Sequence, residues 1–148
     1  MRARVPFLSC IALALLAVAA AAESESPKRT DAAKTLNVEL NAVRQLDGAC
    51  RLSLLIANQL GAPIRDLTFE LVLFDTRQRV LSLVATEAGA MPVGKTRLKQ
   101  FDIGNTSCDQ IGRVLLNDVT RCDGDELTPA QCTAVARTSS RAKIPFEF

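Results

Sequence analysis

The sequence predicts an all-β domain: an antiparallel β-sandwich of about seven short strands closed by one short C-terminal helix. Three observations predict it. From Leu67 to Phe74, apolar Leu67, Phe69, Leu71 and Leu73 alternate with Thr68, Glu70, Val72 and Phe74. That period of two belongs to a strand with one face fully buried. Further short apolar runs recur along the chain with Gly, Pro, Asn and Asp between them, which is the punctuation of sheet strands. No strand pattern is followed by a long helical one, and this argues against a doubly wound sheet.

Taken in order, residues 1–22 read as an export signal. Arg2 and Arg4 precede an apolar run from Ile11 to Ala20, and Ala20-Ala21-Ala22 supplies a small-residue cleavage site before Glu23. The run is short for a membrane span, and Cys10 lies ahead of it, where a lipid-attachment cysteine would have to follow. The expectation is a chain without a membrane anchor after cleavage, periplasmic or secreted. Residues 23–34 are small and charged and carry no large apolar side chain, so a flexible lead-in is expected there. The folded domain is expected over residues 35–148.

Leu36, Val38 and Leu40 alternate with Asn37, Glu39 and Asn41 as in a half-exposed strand, and Asp47-Gly48 is a turn signal. The central feature is a hairpin. Its strands are Arg51 to Ala57, with Leu52, Leu54 and Ile56 facing the core, and Leu67 to Phe74. Asn58 to Pro63 joins them, with Gly61 available for positive φ. Thr76 to Arg79 is a polar turn, Val80 to Ala85 a strand, and Glu87 to Gly94 a connection holding Pro92. Lys95 to Ile103 is a strand in which Leu98 is out of phase with Phe101 and Ile103, so a β-bulge near Gln100 is expected. Gly104 to Ser107 turns into a strand from Ile111 to Val119. Thr128-Pro129-Ala130-Gln131 is a helix start, with a capping threonine, proline at the first helical position and glutamine three residues after the cap. The helix should run from Pro129 to about Arg137. Thr138 to Ser140 reads as a loop. In the last stretch, Ile144, Phe146 and Phe148 point inward, and Pro145 confines the strand to a sheet edge.

Two local patterns carry a resemblance. LIANQLGAPIRDLTFELVLFD followed by PVGKTRLKQFDI resembles the FxLYD-type immunoglobulin-like modules of bacterial exported proteins. There an aromatic-Asp pair ends a strand, and a polar turn and a Pro-x-Gly connection follow. Leu73-Phe74-Asp75 and Pro92-Val93-Gly94 fit that outline, with Leu71 where the family has Phe and Phe74 where it has Tyr. The resemblance covers about half of the chain beyond the signal and implies an immunoglobulin-like sandwich with no catalytic residue or ligand. The C-terminal half, with Cys108-Asp-Gln-Ile-Gly-Arg-Val ahead of Cys122 and Cys132, resembles small exported proteins of alphaproteobacteria.

Cys50, Cys108, Cys122 and Cys132 follow the signal segment. An even count in an exported chain implies disulfides. Cys122 and Cys132 bracket one local loop and are expected to pair, leaving Cys50 to join Cys108 across the sheet. A Cys108–Cys122 bridge would have to span the extended strand between them.

Composition excludes several chemistries. The chain has no His, Trp or Tyr. There is thus no Ser-His or Cys-His dyad, no imidazole ligand, and little aromatic surface for sugars or bases. Arg2 and Arg4 account for two of the 18 basic residues, so the rest of the chain balances the 16 acidic ones and is neutral. That argues against nucleic acid as a partner. Three local features are candidates. Lys95, Arg97 and Lys99 recur with period two and could meet an anionic envelope polymer, although charges along a strand also protect sheet edges from pairing. Asp123, Asp125 and Glu126 are a weak calcium candidate, since carboxylate oxygens suit that ion but no complete twelve-residue loop is present. A solvated turn ahead of a helix is the plainer reading. Asn105-Thr106-Ser107 matches a glycosylation sequon by chance in a bacterial-type chain.

The reading of the sequence is an exported binding or structural module, a monomer without cofactor or catalytic activity, mediating protein or envelope interactions. The rival is a small-ligand or calcium carrier acting through the Cys122–Cys132 loop. An enzyme using two scattered carboxylates comes third.

Overall fold

The computed structural model of the protein describes residues 34–148; the expected signal and most of the lead-in lie outside the described residues. Eight strands form two four-stranded sheets. They are β1 (Leu36–Leu46), β2 (Ala49–Asn58), β3 (Asp66–Asp75), β4 (Val80–Glu87), β5 (Thr96–Gly104), β6 (Ile111–Asp123), β7 (Ala136–Ser140) and β8 (Phe146–Glu147). One sheet has the order β5-β2-β1-β7 and the other β4-β3-β6-β8. A 3-10 turn, Cys108–Gln110, leads into β6, and one helix, α1 (Pro129–Val135), follows it.

The alternating apolar residues do what their period requires. Leu36, Val38, Leu40, Leu52, Leu54 and Ile56 from one sheet and Leu67, Phe69, Leu71 and Leu73 from the other are fully or almost fully buried in one core cluster. Burying a side chain of this size contributes about 1.5–3 kcal/mol, so the facing surfaces of β1, β2 and β3 hold the two sheets together.

The tight hairpin is elsewhere than expected. β1 and β2 pair antiparallel from Leu36↔Asn58 to Leu46↔Ala49 around Asp47-Gly48, with Gly48 at φ 68°. Such a two-residue turn needs positive φ, which glycine adopts without a Cβ clash. β2 and β3, read as a hairpin, belong to different sheets. Asn58 to Pro63 therefore carries the chain from one layer to the other, and Gly61 at φ 80° makes the bend. A turn signal marks the change of direction and is silent about which strand the chain pairs with next.

Four further expectations are corrected. β5 has no bulge near Gln100: its register with β2 runs unbroken from Ala49↔Gly104 to Ala57↔Thr96, and Leu98 is 55% exposed on the outer face opposite Leu55. The helix stops at Val135, and Ala136–Ser140, read as mostly loop, is a strand parallel to β1. Of the C-terminal strand only Phe146–Glu147 pairs, parallel to β6. Ile144 and Phe146 are buried there, whereas Phe148 is exposed. The sheets are thus mixed rather than purely antiparallel, and the strands number eight. The cause is common to both parallel pairings: each is a short segment that becomes a strand because a distant edge lies beside it.

Candidate functional site

The four cysteines form the two expected bridges. Cys50 on β2 is bonded to Cys108 in the 3-10 turn, with Cα atoms 4.9 Å apart, and Cys122 at the end of β6 to Cys132 in α1, at 6.5 Å. The first ties β2 to the crossover between the sheets. Gln45 supports it: its Oε1 accepts from the Cys108 N–H (2.8 Å) and the Ser107 hydroxyl (3.1 Å), while its Nε2 donates to the Leu46 and Ala49 carbonyls. The second fastens α1 against β6. Its helix start is as expected, with Thr128 at the cap accepting from the Gln131 N–H (3.3 Å) and Pro129 at the first helical position.

Beside the second bridge is a cavity of about 270 Å³, bordered by Leu60, Leu127 and Val135, with Lys34 and Glu126 among its lining residues. The acidic candidates do not converge on it. Asp123, Asp125 and Glu126 are all exposed, and Asp125 pairs with Arg65. No group of three or more Asp, Glu or Cys side chains placed to hold a metal occurs among the described residues.

The basic candidates divide. Lys95 precedes β5 and is exposed. Arg97 and Lys99 stand opposite Ile56 and Leu54 of β2, on the register of the buried face, and Lys99 is half-buried. They are charges on the inward face of an edge strand, an arrangement that hinders another strand from adding there.

Sequence reasoning missed the opposite edge. β4 borders the second sheet and pairs only with β3. Val80 is 66% and Leu83 59% exposed. Beside Leu83 on the outer face come Val72 of β3 and then Leu115 of β6; Phe74, opposite Val80, is covered by the Arg113 guanidinium 4.0 Å from its ring centroid. The turn before β4 is rigid. Asp75 Oδ1 accepts from the Arg77 and Arg79 N–H groups (2.8 and 2.9 Å), and its Oδ2 from the Arg79 guanidinium. The Arg79 N–H, foremost, and the guanidinium hold the Asp75 carboxyl below the usual carboxylate range. The signal was present in the sequence: Val80 to Thr86 contains no charge and no proline.

No protein-family model matches the chain, and no curated protein matches it. Among solved structures the chain is similar to IrmA from Escherichia coli, with a TM-score of 0.55 and 12% identity over 71% of this chain and 91% of that one. At that identity the likeness concerns the fold.

Among the described residues no helix is long and apolar enough to cross a membrane.

Proposed function

We propose that the protein is an exported, immunoglobulin-like interaction module of the cell envelope that binds through its surface and performs no chemistry. One observation carries this reading: the long edge of β4, without charge from Val80 to Thr86 and with Val80 and Leu83 exposed, Leu83 standing beside Val72 and then Leu115 on the outer face of its sheet. An open edge and an apolar outer face are features that a second chain covers. The two disulfides support the compartment, since bridges persist where the surroundings oxidise thiols.

A photo-activatable crosslinker at position 83, in protein expressed in its native host, tests the reading. A discrete crosslinked species is expected there and not from position 42 on the other sheet. Only diffuse products at both positions would contradict it.

The cavity beside Cys132 favours a second reading, a carrier of a small ligand with one end cationic and the other anionic, matched to Glu126 and Lys34. At about 270 Å³ it is just below the usual range for ligand pockets, roughly 300–1,000 Å³. A carrier would show a rise in melting temperature with one member of a metabolite or metal-ion panel. The interaction module shows none.

A further inference from the structure

Lys95, Arg97 and Lys99 form a single row. Lys95 extends β5 by one step, since its carbonyl accepts from the Asn58 N–H (3.0 Å), and Arg97 and Lys99 follow on the same face opposite Ile56 and Leu54. Asn58, Ile56 and Leu54 are fully buried, so three cations continue a buried row of β2 out to the open side of the sandwich. At that side β5 and β4 border different sheets and do not pair. Guarding the edge against another strand accounts for a charge here. It does not account for three cations left without counterions.

Residues 88–101 hold these three cations and no carboxylate, and neither residues 52–58 of β2 nor residues 80–86 of β4 are charged. The acids that bracket the segment turn away from the row. Asp102 lies on the opposite face of β5 and pairs with Arg51 (2.6 Å), and Glu87 stands on the outer face of the other sheet, level with Thr68. Among the described residues the ion pairs engage six other arginines, and none engages Lys95, Arg97 or Lys99. Lys99 is half-buried all the same, its Nζ 4.0 Å from where a Cβ on Gly89 would stand. Its ammonium has given up part of its water without gaining a carboxylate in return, which is a cost that an anionic ligand would offset.

The length of the row decides between ligands. Lys95 and Lys99 are four residues apart, about 13 Å along an extended strand, and none of the three lines the cavity beside Cys132. A small anion meets one or two of them, whereas a chain whose charges repeat meets all three. Arg97, in the middle, offers a planar fork that fits phosphate or carboxylate oxygens, with a lysine point charge on either side. The chain beyond the expected signal is neutral overall, so attraction to a polyanion has to come from a local cluster of this kind. We infer that the row binds a linear polyanion, a polymer carrying phosphate or carboxylate groups at intervals along its backbone. The site is separate from the β4 edge on which the interaction reading rests, and either stands without the other.

Binding of inorganic polyphosphate and of polygalacturonate to the purified chain, with disulfides intact, tests the proposal as a function of salt. Three cation contacts on a flexible polyanion give a log–log salt slope of about −2, so affinity should fall about 20-fold between about 50 and 200 mM salt. The triple variant Lys95→Gln, Arg97→Gln, Lys99→Gln should lose the binding. The control triple Arg44→Gln, Arg77→Gln, Lys143→Gln removes the same charge from exposed positions away from the row and should keep the slope. Lys95→Gln alone, at an exposed position, should make the slope shallower by about 0.7. Binding of either polymer in this pattern supports the proposal, and the preference between them tells phosphate from carboxylate. No binding at about 50 mM salt, equal losses in the two triple variants, or binding to anionic phospholipid vesicles and to neither polymer overturns it.

Discussion

The Asn58 side chain donates through Nδ2 to the main-chain carbonyl of Met91, 2.8 Å away and 33 residues along the chain. The same nitrogen donates to the Ala62 carbonyl (2.9 Å), and Oδ1 accepts from the Leu60 N–H (3.0 Å). Asn58 is fully buried, so one amide pins both the crossing from β2 to β3 and the connection from β4 to β5. Asn58→Leu fills the space but leaves the Ala62 carbonyl and the Leu60 N–H unpaired, while the Met91 carbonyl keeps only the Ile64 N–H. At about 1–3 kcal/mol for a buried group left unsatisfied, the urea midpoint should fall sharply with an unchanged denaturant slope. A loss within experimental error would show that water replaces the amide.

Gly112 tests how β3 and β6 meet. A Cβ at this position would come 2.6 Å from the Asp75 carbonyl oxygen and 2.8 Å from Thr76 Cα, both main chain. No rotamer change relieves that contact, so Gly112→Ala should cost about 1–3 kcal/mol by overpacking. Thermal unfolding measures it. Gly48→Ala meets no neighbouring atom and carries only the strain of its positive φ, which makes it the control.

Leu71 sits fully buried at the centre of β3, between Val84 of β4 and Leu116 of β6. Leu71→Ala should destabilise by about 2–5 kcal/mol through lost transfer energy and the cavity left behind. Leu98→Ala, at an exposed site on β5, should fall within about 0.5 kcal/mol of the parent. Equal losses at the two positions would contradict the assignment of faces.

Acid should loosen the two sheets from known points. The carboxyl of Asp102 is held down by the Arg51 guanidinium, that of Asp75 chiefly by the Arg79 N–H, and that of Glu39 chiefly by the Asn41 amide. A carboxylate whose folded pKa is depressed adds stability above its unfolded pKa and loses it as pH falls through the folded value. Stability should therefore hold from neutral pH to about pH 4 and then decline. Asp102→Asn should flatten part of that decline. An unchanged slope would remove the Arg51–Asp102 pair from the account.

The strands were legible because their buried faces are written locally. Leu67, Phe69, Leu71 and Leu73 declare one face without reference to any partner, and Asp47-Gly48 declares a turn. Sheet membership is a different kind of information. Gly61 and Pro63 bend the chain, and the same residues serve a hairpin or a crossing between layers. Leu98 invited a bulge because an apolar residue out of phase was taken to need burial, yet a single exposed leucine beside Leu55 is ordinary. Ala136–Ser140 is polar and short, and only its long-range pairing with β1 makes it a strand. The candidate site divides the same way. The cysteine pairing followed from loop lengths, whereas the buried role of Asn58 and the open edge of β4 depend on what lies beside them.

The bridges and the export signal underlie the rest of the account, and one measurement reads both. Mass spectrometry of the protein isolated from its native host, digested without reduction, should find a chain starting at or near Glu23. It should also find linked peptides containing Cys50 with Cys108 and Cys122 with Cys132. On the chain-entropy view these two bridges contribute about 4 and about 3 kcal/mol respectively. An intact Met1 with free thiols would contradict the account, and a Cys108–Cys122 peptide would contradict the fold.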